Sequence, residues 1–506
     1  MGNSWFDKKF REKRYDAGDL GVTARRGAKP APKDEKSYKR TTGQIDRDRI
    51  LYSGHFLRLA EVTQTVSPVH GYVFHNRLSH SLKVAQVSRR LCERLMRRYA
   101  RDRHLQKIVN TLDPDICEAV GLAHDLGHPP YGHCTETELN RLASSDPLPK
   151  PMRLTDGFEG NAQSFRIVCR LAGTHLPGVF DEKQLGLNLS RQTLNGILKY
   201  PHLKNDDLKR GKKWGAYRED KEFLDFARTG IKGSGMSLEA EIMDWADDIT
   251  FAVHDLLDFY SSGSIPLYLF MPRCPGGCRS YQPGESLDEL KSRLTEERWK
   301  FIDDIVSTSN YPHIKILIEN ARTCYPEFDG KEDAHHSINA ALDDIFDEYL
   351  HRFDSRYTGT PSQRRQIAGT TFEMIEECLT AFKLEYDPAR QDGFGQWKVV
   401  KSDKKILQIE ILKQFTWHYI IRGQQLHSDQ IGQRRAVRTV FDASMQAVFE
   451  KGESYLFPWH IRELVWGKDI PPEQKTRHVI DYVSSMSEPE LMRIYRQLVA
   501  DNGYRH

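Results

Sequence analysis

The tract GLAHDLGHPPYGHCTETE, residues 121–138, gathers His124, Asp125, His128, His133 and Glu136. A core excludes that much ionisable chemistry unless it is paired. Divalent cations take carboxylate oxygens and imidazole nitrogens that converge on one point. His124 and Asp125 are adjacent near a predicted helix end, which Gly127 and then Pro129-Pro130 distort and stop. That distortion would let both side chains turn toward one ion. Two further ligands must come from elsewhere. His80, in HNRLSHSLKV, sits early in one amphipathic pattern, and Asp247, in DWADDITF, interrupts the apolar stripe of another. Three helices would then each lend to one site. His128, His133 and Glu136 follow in what reads as a Gly/Pro loop, where binding residues gather. Imidazoles beside a carboxylate can carry protons near neutral pH. A lone His-Asp pair is usually a surface or capping feature; the larger set points to chemistry.

The elements that must hold these residues read as helices. From Asp46, RILYSGHFLRLAEVTQ repeats apolar residues three and four apart. RLSHSLKVAQVSRRLCERLMRRYA puts Leu82, Ala85, Leu91 and Leu95 on one face and arginines on the other. Asp113 reads as an N-cap with Pro114 in the first turn. Ser237 precedes a long amphipathic helix whose inner stripe is Leu238, Ile242, Ile249, Val253 and Leu256. A Pro/Gly-rich break, PRCPGGCRSYQPGES, follows, and helical patterns then run to the end. QWKVVKSDKKILQIEIL holds a short hairpin at best. The predicted fold is mainly α: a flexible arm at 1–45, a multi-helix core at 46–270, and a C-terminal helical region at 271–506 that completes the pocket and supplies oligomer contacts.

Composition narrows the class. The 506 residues exceed one core of ordinary size. Lys+Arg 74 against Asp+Glu 71 leaves a net charge of +3, which excludes a strongly basic nucleic-acid coat but allows local basic patches. Eight scattered cysteines need no disulfide framework and fit a reducing cytoplasm. Cys274 and Cys278 in CPGGC have no second ligand pair nearby, so a turn without zinc is the better reading. The N-terminus lacks a signal-peptide core, and Phe6 breaks the myristoylation pattern of MGNSWF. No apolar run is long enough for a membrane span.

The ordered stretches HNRLSHSL, AHDLGHPPYGH, GFEGNAQSFRIV, LNLSRQTLNGILKYP and ADDITFAVHDLLD resemble the HD-superfamily deoxynucleoside triphosphate triphosphohydrolases, the dGTPase family. The likeness runs from about residue 45 to 260 and returns at VIDYVSSMSEPELMRIYRQL. The combination of HDLGHPPYGH with FEGNAQ separates this family from HD phosphodiesterases and nucleotidases.

The resemblance implies a divalent metal, Mg2+ or Mn2+ or another transition metal, on His80, His124, Asp125 and Asp247, with Asp248 competing for the fourth place. It implies His133 held by Glu136 as the catalytic pair, with its proton role open, and His128 on the phosphates or merely holding its loop. It further implies substrate contacts from Gln64, Arg77, Tyr131, Asn161, Lys199, Tyr200, Lys213, Phe251 and Asp255. Gln64 could equally be a helix-end polar residue, and Lys213 a solvated one. Arg77 offers a planar fork for phosphate oxygens. Asp255, two turns beyond Asp247, would suit a sugar hydroxyl.

The implied reaction is attack at the α-phosphorus of a dNTP, releasing deoxynucleoside and inorganic triphosphate, in pool control or phage defence. The alternatives are an HD phosphodiesterase or nucleotidase on another nucleotide, or a nucleic-acid-binding regulatory HD protein. Implied partners are the dNTP substrate, a dNTP or single-stranded DNA effector, and further copies of the chain in a homo-oligomer. The stretch from Ile411 to Met445 mixes aromatics with arginines and reads as a packed helix pair before a nucleic-acid surface. Phe251 stands where many relatives carry tyrosine, and Leu57 and Glu61 alter the charge expected near the entrance. Base preference is therefore left open.

Overall fold

Side chains at helix starts set much of the architecture in the computed structural model. It describes residues 40–64, 76–145, 148–173, 186–206, 213–231, 235–271, 285–326, 333–387, 397–449, 456–466 and 470–499. The arm before residue 40 and the Cys274–Cys278 turn lie outside the described residues. Helix α1, Thr42–Leu51, begins inside the stretch expected to be arm, because Thr41 and Gln44 form a reciprocal capping box. The helical pattern read from Asp46 is interrupted: Ser53 caps a new short helix, Gly54–Arg58, by accepting from the Phe56 N–H.

Asn76 and Ser79 cap α2, Arg77–Arg98. Its buried face carries Val84, Ala85, Ser88, Leu91, Cys92 and Leu95. Leu82, expected on that face, is 45% exposed, since a turn of about 100° per residue carries it off the stripe. Asp113 caps α3, Pro114–Ala123, with Pro114 in the first turn as expected. At Gly121 a Cβ would stand 2.6 Å from the Ala85 Cα, so this glycine permits the close crossing of α2 and α3.

Helix α4 is His133–Ser144, and α5 is Gly160–Arg166 with a π-helical turn through Leu171. Helix α6 is Arg191–Ile197. Ser237 caps α7, Leu238–Thr250. A π-helical turn, Phe251–Asp255, then leads into α8, Leu256–Ser261, and the predicted inner stripe is buried throughout. Such turns add a residue to the helix and recur at functional sites.

Five helices between Leu287 and Cys378 follow. Strand β1, Phe382–Tyr386, pairs antiparallel with β2, Trp397–Lys401, with Phe382 opposite Lys401. The hairpin expected within 396–412 thus supplies only one strand; its remainder enters α9, Asp403–Thr416. Helices α10, Gln424–Phe449, α11, Pro472–Ser484, and α12, Glu488–Val499, with a short helix, Trp459–Trp466, between α10 and α11, complete the described chain.

One apolar core joins α2, α3 and α7 to the helices of 287–420, so the core does not divide at residue 270. A second joins Leu139, Leu142 and Phe158 to Val440, Phe441, Val479, Ile480 and Leu491. Buried ion pairs clamp this second core to the first. Arg166 Nε donates to both Asp481 oxygens at 3.0 and 2.9 Å, and its Nη1 donates to Asp220 at 3.1 Å. Gln163 Nε2 also donates to Asp481, at 3.0 Å. Breaking a buried pair strands the remaining charge. Asp481→Asn is expected to destabilise the fold by about 3 kcal/mol, read from the urea midpoint. A midpoint matching wild type would remove this clamp from the account.

Candidate metal and phosphate site

The site begins where α3 ends. His124 is the C-cap of α3, and its Nδ1–H donates to the Gly121 carbonyl at 2.7 Å. That bond fixes the tautomer and leaves Nε2 as the lone-pair nitrogen. His124 Nε2 is buried with no hydrogen-bond partner. It stands 3.4 Å from Asp125 Oδ1 and 3.8 Å from Asp247 Oδ1. His80, from the first turns of α2, brings Nε2 to 3.0 Å from the same Asp247 oxygen. Ligand atoms of His80, His124 and Asp125 all lie within 4.8 Å of one another. An orphaned imidazole nitrogen facing two carboxylates fits a divalent ion. Asp248 turns elsewhere: it accepts from Lys413 Nζ at 2.7 Å.

The charge states suit that fit. Burial alone would raise the Asp125 carboxyl, but His124, His128 and Arg77 outweigh it and hold it well below the usual range. Burial acts the same way on Asp247, and His80, His124 and Lys199 overcome it. Burial and the Arg77 charge push His128 down to about 4. Ionised carboxylates beside neutral imidazole are what a metal requires.

Beyond Asp125 the chain reverses. Tyr131 takes φ 65° and Gly132 φ 59°, and Tyr131 is held there through its N–H on Glu488 at 3.0 Å. Positive φ is costly for a bulky residue and persists only where neighbours enforce it. Gly132 is needed too: a Cβ would lie 2.7 Å from Arg77 Nη2. The expected Gly/Pro loop therefore ends early, and His133 and Glu136 stand in the first turn of α4. Their spacing of three is helical, which brings His133 Nδ1 to 2.7 Å from Glu136 Oε2. Glu136 Oε1 accepts the Gly160 N–H at 3.0 Å. Burial would raise the Glu136 carboxyl, but the His133 bond, the imidazole charges and the Gly160 N–H hold it far below its usual range. His133 Nε2 is thereby left as the outward nitrogen of a side chain that is 68% exposed.

These groups border a cavity of about 480 Å³. Its wall includes Gln64, Arg77, His124, Asp125, His128, Tyr131, His133, Asn161, Lys199, Tyr200, Lys213, Asp247 and Phe251. His80 stands behind Asp247, and Glu136 behind His133. Asp255 is fully buried and is not among the lining side chains. Leu57 is exposed, and neither it nor Glu61 lines the cavity. Arg77 Nη1 donates to Asp125 Oδ2 at 2.6 Å, while its buried Nε has no hydrogen-bond partner. Lys199 Nζ lies 2.8 Å from Asp244 and 3.7 Å from Asp247. Burial would lower its pKa, but Asp244 and Asp247 raise it well above normal.

Sequence reasoning missed Cys134, Ile197, Met243, Lys413, Ile421, Leu426 and Gln430, which also line the cavity. Met243 could have been found, four residues before Asp247 on one helix face. Lys413 reaches Asp248 across 165 residues of chain, and no local pattern announces such a contact. No described helix is long and apolar enough to cross a membrane.

Comparison with known proteins agrees with this layout. The HD domain family pattern matches residues 77–252, and the phosphohydrolase-associated domain pattern matches residues 399–497. A deoxyguanosinetriphosphate triphosphohydrolase-like protein of Corynebacterium diphtheriae is 30% identical over 455 residues, covering 89% of this chain and 90% of the relative. One of Shewanella pealeana is 27% identical over 514 residues, covering 93% and 95%. One of Corynebacterium glutamicum is 42% identical over 225 residues, covering 44% and 46%. The chain therefore belongs to the HD-superfamily deoxynucleoside triphosphate triphosphohydrolase family of metal-dependent phosphohydrolases.

Proposed function

We propose that this protein hydrolyses deoxynucleoside triphosphates at the α-phosphorus, giving deoxynucleoside and inorganic triphosphate. The observation that carries the reading is the meeting of His80, His124, Asp125 and Asp247 beside a cavity walled by Arg77, His128, Lys199 and Lys213. Such a wall mixes metal-ligand chemistry with fixed cations, as a polyphosphate requires. Mg2+ or Mn2+ held by those four residues would supply Lewis-acid polarisation of the phosphoryl group.

The chain's own groups divide the remaining work. Arg77 is braced by Asp125 and turns its fork to phosphate oxygens. Lys199 and Lys213 neutralise the triphosphate. His128, neutral above about pH 4, binds without adding charge. Glu136 holds His133 by Nδ1, so the proton in flight is carried at His133 Nε2. Tyr200 and Phe251 offer ring faces, and Gln64 an amide, to the sugar.

Three experiments test this reading. Purified protein with Mg2+ or Mn2+, given the four dNTPs singly and in pairs, is expected to release inorganic triphosphate, read by phosphorus NMR. Release of pyrophosphate or orthophosphate alone contradicts the reaction. Asp125→Ala is expected to lose bound metal and turnover together. His133→Ala is expected to lose about 100-fold or more in kcat while metal content is unchanged, as removal of a general acid or base does. A fully active His133→Ala protein would remove that residue from the chemistry.

A further inference from the structure

Asn161 follows Gly160 in the first turn of α5, and its side chain lines the cavity with His128, His133 and Lys213. Its amide cannot choose which end it shows. Nδ2 donates to Glu159 Oε1 at 2.7 Å, while Glu159 Oε2 accepts the Ala162 N–H at 3.0 Å. Glu159 is only 3% exposed, and its main chain is pinned by the Tyr217 hydroxyl, 3.2 Å from both its N–H and its carbonyl. An ionised carboxylate only accepts hydrogen bonds. Asn161 must therefore turn its NH2 toward Glu159, which leaves the carbonyl oxygen Oδ1 and the second N–H of the amide for the cavity.

A buried carboxylate is a costly way to cap a helix. Glutamine would satisfy the Ala162 N–H equally well with its single oxygen. It could not then accept from Asn161 as well, because its other terminal atom is an NH2. The charge at this position is explained by the second bond.

We propose that Glu159 is a positioning residue that fixes Asn161 as a hydrogen-bond acceptor in the substrate cavity. Through Oδ1, Asn161 then takes an O–H donor, a sugar hydroxyl or the attacking water. The proposal rests on the hydrolysis reading above. Burial and the Glu136 charge push the Glu159 carboxyl up to about 7, against the pull of Asn161, the Ala162 N–H and Lys213. The acceptor-only state holds above that pH, and the assays belong there.

In Glu159→Gln the facing NH2 groups conflict, and Asn161 loses its bond or turns over. This variant is expected to lose about tenfold or more in kcat/KM for dNTP hydrolysis, with unchanged melting temperature and metal content. The exchange E159Q/N161D rebuilds the bond in the opposite sense: the new amide donates to the new carboxylate, whose second oxygen again faces the cavity as an acceptor. It is expected to recover to within about threefold of wild type, a coupling that only a direct pair shows.

Dideoxynucleoside triphosphates separate the two sources of the donor. If the partner is the sugar 3′-hydroxyl, the E159Q loss disappears on the dideoxy substrate; if it is water, the loss is the same on both. Either result, together with recovery in the exchange variant, supports the acceptor assignment. A fully active E159Q protein, or an exchange variant no better than E159Q, overturns it. Should E159Q fail to fold, equal activity of the exchange variant and N161A overturns it instead. Failure of the hydrolysis reading shows separately, as wild-type protein that releases no triphosphate. Calorimetric binding of dNTP to the same variants, with the same order expected, then decides the positioning.

Discussion

The contact on which the site depends is the one Gly127 makes with α5. A Cβ at Gly127 would fall 2.2 Å from both the Gly160 carbonyl and the Ser164 nitrogen. Its N–H donates to Ser164 Oγ at 2.8 Å, and that hydroxyl donates on to the His124 carbonyl at 2.9 Å. The chain leaving α3 is thus pressed onto the start of α5, closer than any other residue type permits. The candidate metal ligands at the end of α3 therefore stand beside Glu136, Gly160 and Asn161. If that approach opened, His124 and Asp125 would part from the pair on α4. The Gly121–Ala85 crossing performs the same service toward His80.

The C-terminal helices hold this arrangement from outside. Arg58 donates to the Leu126 and His128 carbonyls at 2.8 and 2.9 Å, and to the Met486 carbonyl at 3.1 Å. Glu488 accepts from the Thr63 and Tyr131 N–H groups at 2.7 and 3.0 Å. One arginine and one glutamate thus tie the 126–131 turn, the segment bearing Gln64, and the last helices into one unit. The strained Tyr131 backbone is stable because Glu488 takes its N–H. Lys413, Leu426 and Gln430 then close the cavity from α9 and α10. These side chains line the cavity away from the candidate ligands on α2, α3 and α7, so pocket shape there can change without disturbing them.

Residue types and short spacing made the candidate ligand set legible. His80, His124, Asp125 and Asp247 were named from the dipeptide, the helix patterns and a family likeness, and they meet in space. Legibility stopped where tertiary contacts overruled local signals. Glycine and prolines near Tyr131 suggested a longer loop, but two residues at positive φ complete the reversal and α4 starts at once. Leu82 looked like core until the helix found its partners. The strand at Trp397 has its mate upstream, at Phe382–Tyr386, and the turn signals Asp387-Pro388 and Asp392-Gly393 between them lie outside the stretch read as a hairpin. Asp255 followed the face of an ideal helix, while the real one inserts a π-helical turn at Phe251.

The central claim is that water attacks the α-phosphorus while the cations of the wall hold the triphosphate. Hydrolysis of a dNTP in oxygen-18 water, followed by mass spectrometry of both products, tests it directly. The account predicts a single solvent oxygen in the inorganic triphosphate and none in the deoxynucleoside. Solvent oxygen in the deoxynucleoside, or in pyrophosphate or orthophosphate with no labelled triphosphate formed, would contradict it.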